Sequence, residues 1–491
     1  MKRALALILT VIILLSTFVA CNNTSNEPAE TTAETTVATT ASTTAGTVKP
    51  KSDKLYVGYG RADITPIRDG EIIPVQLGGY PFERIADLIL TNLYTSCTAI
   101  RDEEGDTVLL FTVDSIGISS QVVMEIRTKI KEATGILPKN VLITSSHSHA
   151  TPDVSSTTLG QIQIYNKYVF FPGFVEAAEA AIDDLALCTE LYAVTLDGTG
   201  YNFIRRYIKN SQGKVVHEID GDHSMPVVRF VRDGKKDVIF ANWAAHADTV
   251  IGSSKTAVSG DYYYYFTEHA EKELGAHVSL FNGATGDVTP YSKLTGETKV
   301  NGTRPYGRKI ADILIDGINS LEKLDIVGDV SLVSKVVPLK VDHSLDSKKD
   351  QAKEINDLYA QEGESNAYKQ KCAQYEIVNI HEAHRILGNF ERPATENMTV
   401  SVATIGNIVF ATAPYEMLTQ TGLDIKSNSK FDLTFVCGYT NGAHGYIAPE
   451  YAFANGDYEV YSCLYVKGSA EKIQTDISKL VDKLYTDIYG E

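Results

Sequence analysis

Asn140–Asp153 reads NVLITSSHSHATPD, an apolar run that ends in two histidines with one residue between them. Val141 to Ser146 has the length and β-branched content of a buried strand, so an extended continuation places His147 and His149 on the same side of the chain. One imidazole can then hold a metal while the other works on a substrate beside it. In open α/β sheets ligands collect at the carboxyl ends of strands, where this pair sits. Histidines bonded to loop carbonyls are the commoner case at strand ends, so the meaning of the pair depends on what else converges on it.

The surrounding pattern mixes β and α throughout. Thr107–Val113, Val227–Val231, Val238–Trp243, Val278–Phe281 and Ile408–Thr412 are short apolar runs with strand character. Amphipathic helical segments lie between them: Gln121–Ala133 after a capping Ser120, Gly173–Leu187, Asp261–Leu274, and a last helix with Ile473, Ile477, Leu480, Leu484 and Ile488 on one face. Turn residues at Glu104-Gly105-Asp106, Asp233-Gly234-Lys235 and Gly406-Asn407 predict three hairpins. The expected fold is therefore α/β, a mixed sheet with surrounding helices in a single large catalytic domain over residues 54–491. Ser347–Asn389 reads as a long polar helical excursion over the surface.

The N-terminus reads as an export signal. Lys2 and Arg3 precede the apolar run Ala4–Leu15, too short to span a bilayer, and Phe18-Val19-Ala20-Cys21 closes it. A cysteine directly after a small residue resembles a bacterial lipoprotein processing box, with residues 1–21 as signal and Cys21 as the acylated end. Residues 22–53 are dominated by Thr, Ala, Ser and Glu; without an aromatic before residue 54 they bury too little surface to offset their chain entropy, and they predict a flexible tether. The expectation is an extracytoplasmic protein at the cell surface, joined to the membrane by an N-terminal lipid anchor.

The formal charge of −17 repels phosphate backbones, which argues against a nucleic-acid partner. Cys97, Cys188, Cys372, Cys437 and Cys463 are dispersed and odd in number, which argues against a disulfide framework or a thiolate metal site.

Four more segments place ligand-type residues at the ends of apolar runs. They are Ala241–Asp248 (ANWAAHAD), Gly283–Pro290 (GATGDVTP), Ala411–Glu416 (ATAPYE), whose carboxylate is expected to open a helix, and Asn441–Tyr458 (NGAHGYIAPEYAFANGDY). Together with Val57–Thr65 (VGYGRADIT) and the His-Ser-His element, they resemble, in order, the catalytic domain of the neutral (non-lysosomal) ceramidases. That family shows GRADIT, GTHTHSGP after a strand, NW…H, GD-x-S-P, PGE, and N-x-Y-x-x-Y-I-T followed at a fixed distance by YE.

The resemblance implies a Zn²⁺ ion held by His147, His246, Glu416 and Tyr446, with His149, Arg205 and Tyr458 as the other working residues; Arg206 is a second candidate for the arginine, since Ile204-Arg205 stands in place of the family's Asn-Arg. It implies hydrolysis of the amide bond of ceramide or a related small-molecule or lipid amide. Imidazole and carboxylate ligands independently suit zinc, and a histidine shuttles protons at neutral pH. Thr289, Tyr415 and Ala443 depart from the family's Ser, Gly and Tyr, and these departures bear on the substrate. A reading of another class, a non-catalytic surface lipoprotein that binds a lipid or glycan in the same cleft, remains open on sequence. His381-Glu382-Ala383-His384 is one residue short of H-E-x-x-H and is expected to be a surface helix. Tyr262–Tyr265 is expected to be partly core and partly rim.

Overall fold

Val238–Trp243 is buried along its whole length, as a strand must be when both faces of its sheet are covered. It belongs to a large mixed sheet whose spatial order is His277–Asn282, Val238–Trp243, Ser224–Arg232, Ala186–Asp197, Leu55–Asp63, Tyr94–Asp102, Thr107–Val113 and Val141–Ser145, with Glu322–Leu324 paired onto Ala186–Asp197. The inner neighbours are antiparallel, and the two outermost pairs are parallel. A second sheet orders Val330–Lys340, Thr395–Ile405, Ile408–Thr412 and Leu433–Cys437, and again only its last pair is parallel. The computed structural model describes residues 52–490 apart from 81, 156–159, 206, 210–211, 213–214, 219–220, 291–301 and 455. The signal segment, Cys21 and the tether up to residue 51 lie outside the described residues.

The two sheets pack face to face. Val57, Ile100, Leu110 and Leu142 from the first meet Ala403, Phe410 and Phe435 from the second, and Phe410 lies within ring-contact distance of Phe240, Phe281 and Phe435. Helices cover both outer faces. Ser120–Thr134 and Phe171–Asp183 cover one half of the large sheet, Asp261–Leu274 and Thr303–Gly317 the other half, and Thr419–Asn428 with Ser469–Tyr489 the small sheet. The result is a four-layer α/β/β/α sandwich, each layer burying its apolar face on the next.

All three expected hairpins are present. Two helix boundaries differ from expectation. Ser119, not Ser120, caps the first helix, its side chain accepting from the Val122 N–H. The helix expected to run to Leu187 stops at Asp183, because Ala186 already begins a strand of the large sheet. The polar excursion is three helices, Lys349–Glu362, Asn366–Tyr375 and Ile380–Phe390, around a small core of their own that includes Ile355, Tyr368 and Ile386. Tyr262 and Tyr263 are core, while Tyr264 and Tyr265 are half-buried. Cys97, Cys188, Cys372, Cys437 and Cys463 are buried free thiols. Among the described residues no helix is long and apolar enough to cross a membrane.

The parallel pairs set the function up. Each is closed by a crossover helix: Ser120–Thr134 before Val141–Ser145, Asp261–Leu274 before His277–Asn282, and Thr419–Asn428 before Leu433–Cys437. Loops from the carboxyl ends of these strands supply His147, His246 and Glu416, and they meet at one place.

Candidate metal centre and active site

The strand before His147 ends at Ser145, and His147 itself has a left-handed backbone with φ 60. The extended alternation expected for 147 and 149 is therefore absent. A turn brings the imidazoles together instead, with their Nε2 atoms 3.2 Å apart and the rings nearly perpendicular. The His147 N–H is held by the Ser115 carbonyl, and the His149 N–H by the Ala247 carbonyl of the loop that carries His246.

His147 Nδ1 lies 2.6 Å from the Ile116 carbonyl oxygen, and His246 Nδ1 lies 2.8 Å from that of Thr285. A carbonyl oxygen only accepts, so each Nδ1 carries the proton and each Nε2 presents a lone pair. Both Nε2 atoms lie close to Glu416, whose Oε2 is 3.6 Å from His147 Nε2 and 3.5 Å from His246 Nε2. Atoms held tetrahedrally around one zinc ion are about 3.3–3.6 Å apart. Glu416 Oε2 is buried without a hydrogen-bond partner, which a native interior tolerates poorly. The donor set, the tautomers and this orphaned oxygen together fit a divalent cation. Among the described residues the metal-type cluster of histidines is His147, His149 and His246, with ligand atoms within 4.8 Å of one another.

Glu416 does not open a helix as expected. Glu416–Met417 is a short strand paired in parallel with Tyr446–Ile447, so the carboxylate and the Tyr446 side chain leave the backbone side by side. The Gly-rich loop lies flat against this strand. A Cβ on Gly286 would be 2.8 Å from the Glu416 carbonyl oxygen, so only glycine permits the approach.

Arg205 brings in the last two expected residues. Its Nη2 donates to the Tyr446 hydroxyl at 2.8 Å and to the Gly286 carbonyl at 2.6 Å, while its Nε donates to Glu459 at 2.7 Å. The guanidinium also lies 5.5 Å from the Tyr458 ring centroid, and the Tyr446 and Tyr458 rings are 5.4 Å apart. The structure thus brings all seven expected residues into one neighbourhood. Glu459 and Tyr439 also belong to it, and neither was singled out in the sequence. Glu459 had a signal, as the acid of the Tyr-Glu element. Tyr439, whose hydroxyl is 2.9 Å from His147 Nε2, had none.

Burial governs the electrostatics. It pushes His147 and His246 down to about 4, in the first case despite Glu416 close by and in the second with help from Arg205. It pushes His149 well below its ordinary range, reinforced by His147 and His246. At neutral pH all three are therefore neutral, the form that binds a metal or accepts a proton. Burial also raises Glu416, partly offset by His147, Tyr446 and Arg205, and it raises Tyr446 strongly. An anionic carboxylate among neutral imidazoles is costly in this interior, and a cation there would relieve the cost.

The wall beside His149 is built for close approach. Gly79 has φ 94, and a Cβ there would lie 2.4 Å from His149 Nδ1. Tyr80 stands edge-on to the imidazole at 5.1 Å, and Arg84 donates to the His149 carbonyl oxygen. His381 and His384 do not join the cluster: His384 bonds to Asn356, and His381 packs edge-on against Tyr458 at 4.5 Å.

The family profile described as neutral/alkaline non-lysosomal ceramidase, N-terminal, matches residues 55–300. The chain belongs to that family. The matched region contains His147, His149, Arg205 and His246, whereas Glu416, Tyr446 and Tyr458 lie beyond it. Among solved structures, neutral ceramidase from Pseudomonas aeruginosa is similar with a TM-score of 0.65 at 17% identity, over 88% of this chain and 74% of that one. A ceramidase complexed with C2 is similar with a TM-score of 0.63 at 17% identity, over 88% and 75%. At that identity the likeness carries the fold. No match was found among curated proteins.

Proposed function

We propose that this protein is a zinc-dependent amidohydrolase that cleaves the linear amide C–N bond of an N-acyl lipid amide, ceramide or a relative of it. The observation that carries the reading is the convergence of His147 Nε2, His246 Nε2 and Glu416 Oε2, with a further neutral imidazole, His149, at 3.2 Å from the first. Family membership supports amide hydrolysis, and the C2 complex is a property of the neighbouring ceramidase.

His147, His246 and Glu416 would hold the ion, with Tyr446 as the fourth ligand that the family implies. When bound, zinc supplies Lewis-acid chemistry, lowering the pKa of a water towards ~7 and polarising a carbonyl. His149 Nε2 takes a proton from the attacking water and returns it to the leaving amine nitrogen. Arg205 commits Nε and Nη2 to protein partners, which leaves Nη1 to donate to the carbonyl oxygen as it gains charge, together with the Tyr458 hydroxyl. Tyr458 is 42% exposed, which leaves it within reach of a substrate arriving from solvent.

A panel of N-acyl amides, ceramides included, offered to the zinc-loaded protein tests the reading. Hydrolysis that stops on chelation and returns with Zn²⁺ is expected. Tight binding of a lipid with no cleavage of any amide would instead establish the non-catalytic lipoprotein. We further propose that Cys21 is lipidated and holds the enzyme at the cell surface, motivated by residues 1–21. Cys21→Ser is expected to move the protein from the membrane fraction to the soluble fraction with specific activity unchanged, and retention in the membrane fraction would refute the anchor.

A further inference from the structure

Tyr439 is buried, and its ring stacks on His147 with centroids 3.8 Å apart and planes 17° from parallel. Its hydroxyl stands 2.9 Å from His147 Nε2. Because the rings are nearly parallel, that hydroxyl lies over the edge of the imidazole, off the in-plane axis of the Nε2 lone pair. The in-plane lone pair therefore stays available, and the hydroxyl stands beside the atom that carries it.

The backbone is arranged to hold the phenol there. Tyr439 has φ 47 and Asn441 φ 59, left-handed conformations that persist only where the surroundings impose them and that cluster at working sites. The loop lies along the end of the Val141–Ser145 strand. Ser145 N–H donates to the Tyr439 carbonyl, Asn441 N–H donates to that of Ile143, and the Asn441 side-chain oxygen accepts from the Ile143 N–H. The Thr144 and Thr440 hydroxyls bond at 3.0 Å. The same backbone stretch therefore fixes His147 and Tyr439 together.

This chain also carries Ala443 where the ceramidase motif has its first tyrosine. Ala443 and Tyr439 flank one glycine: a Cβ on Gly117 would lie 2.7 Å from Ala443 Cβ and 3.7 Å from Tyr439 Cδ1.

We propose that Tyr439 is a further catalytic residue of this chain, its hydroxyl donating a hydrogen bond to the oxygen that is held where His147, His246 and Glu416 converge. The proposal rests on the metal-hydrolase reading above. Its role is to stabilise negative charge on that oxygen, as an oxyanion donor does. It is neither a ligand of the ion nor a purely structural ring.

The test uses the full protein loaded with Co²⁺, whose visible spectrum reports on what binds the ion, and acetohydroxamate as an oxygen-donor probe. Tyr439→Phe keeps the stacked ring and is expected to bind cobalt within about threefold of the parent while its affinity for acetohydroxamate falls at least tenfold; kcat on an amide falls about 10²-fold or more. Tyr439→Leu, which also removes the ring, separates stacking from hydrogen bonding: its probe affinity falls by the same factor if the hydroxyl is what matters. Loss of cobalt from Tyr439→Phe would make Tyr439 a ligand and overturn the proposal, and so would unchanged probe affinity with cobalt retained. A parent protein that takes up no cobalt would instead sink the metal-hydrolase reading itself.

Discussion

His147→Ala and His246→Ala are each expected to lose bound zinc, with metal affinity down more than a hundredfold, whereas His149→Ala retains the ion and loses about 10²–10⁴ in turnover. The division follows from the ring nitrogens. His147 and His246 each fix a proton on Nδ1 through a carbonyl and direct Nε2 at Glu416, an orientation suited to a ligand. His149 Nδ1 is buried with no hydrogen-bond partner and its Nε2 faces His147 Nε2 at 3.2 Å, so no carbonyl fixes its proton on Nδ1 as in the other two, and it lies beside them where a proton carrier is needed. Elemental analysis after dialysis, paired with turnover on one amide, checks the prediction. Equal metal loss in all three variants would make His149 a third ligand and reassign proton transfer.

The second large effect falls on Arg205. Arg205→Ala removes a donor to the carbonyl oxygen and is expected to lower kcat by about 10²–10³. It also leaves Glu459, 1% exposed, without its ion-pair partner, and breaking a buried pair from one side costs about 3–5 kcal/mol. Burial already raises Glu459 even with the guanidinium beside it. Combining Arg205→Ala with Glu459→Gln removes the stranded charge, so the double variant should recover much of the lost stability in urea while turnover stays at the level of the single variant. Recovery of turnover along with stability would show that Arg205 serves the fold alone.

The α/β class and its mixed strands were legible from runs buried on both faces, whereas the division into two packed sheets was not, because it depends on pairings between distant segments. Val238–Trp243 and Ile408–Thr412 read as short continuous apolar runs, and their carboxyl ends pointed to the site. The turn at His147 was not legible, since a left-handed residue is enforced by distant groups, Ser115 and Ile116, that no local pattern announces. Glu416 was found as a site residue but placed at a helix start, because a two-residue strand exists only through its parallel partner Tyr446–Ile447. Tyr439 lies 292 residues from His147. It was invisible for the same reason, being one tyrosine among 27 until the second sheet folds onto the first.

Anomalous scattering from crystals of the zinc-loaded protein, recorded on both sides of the zinc edge, tests the central claim most directly. The account predicts one peak per chain at about 2.0–2.2 Å from His147 Nε2, His246 Nε2 and a Glu416 oxygen. A zinc-saturated protein whose only peaks lie elsewhere, with the three side chains still converged and no ion between them, would contradict it.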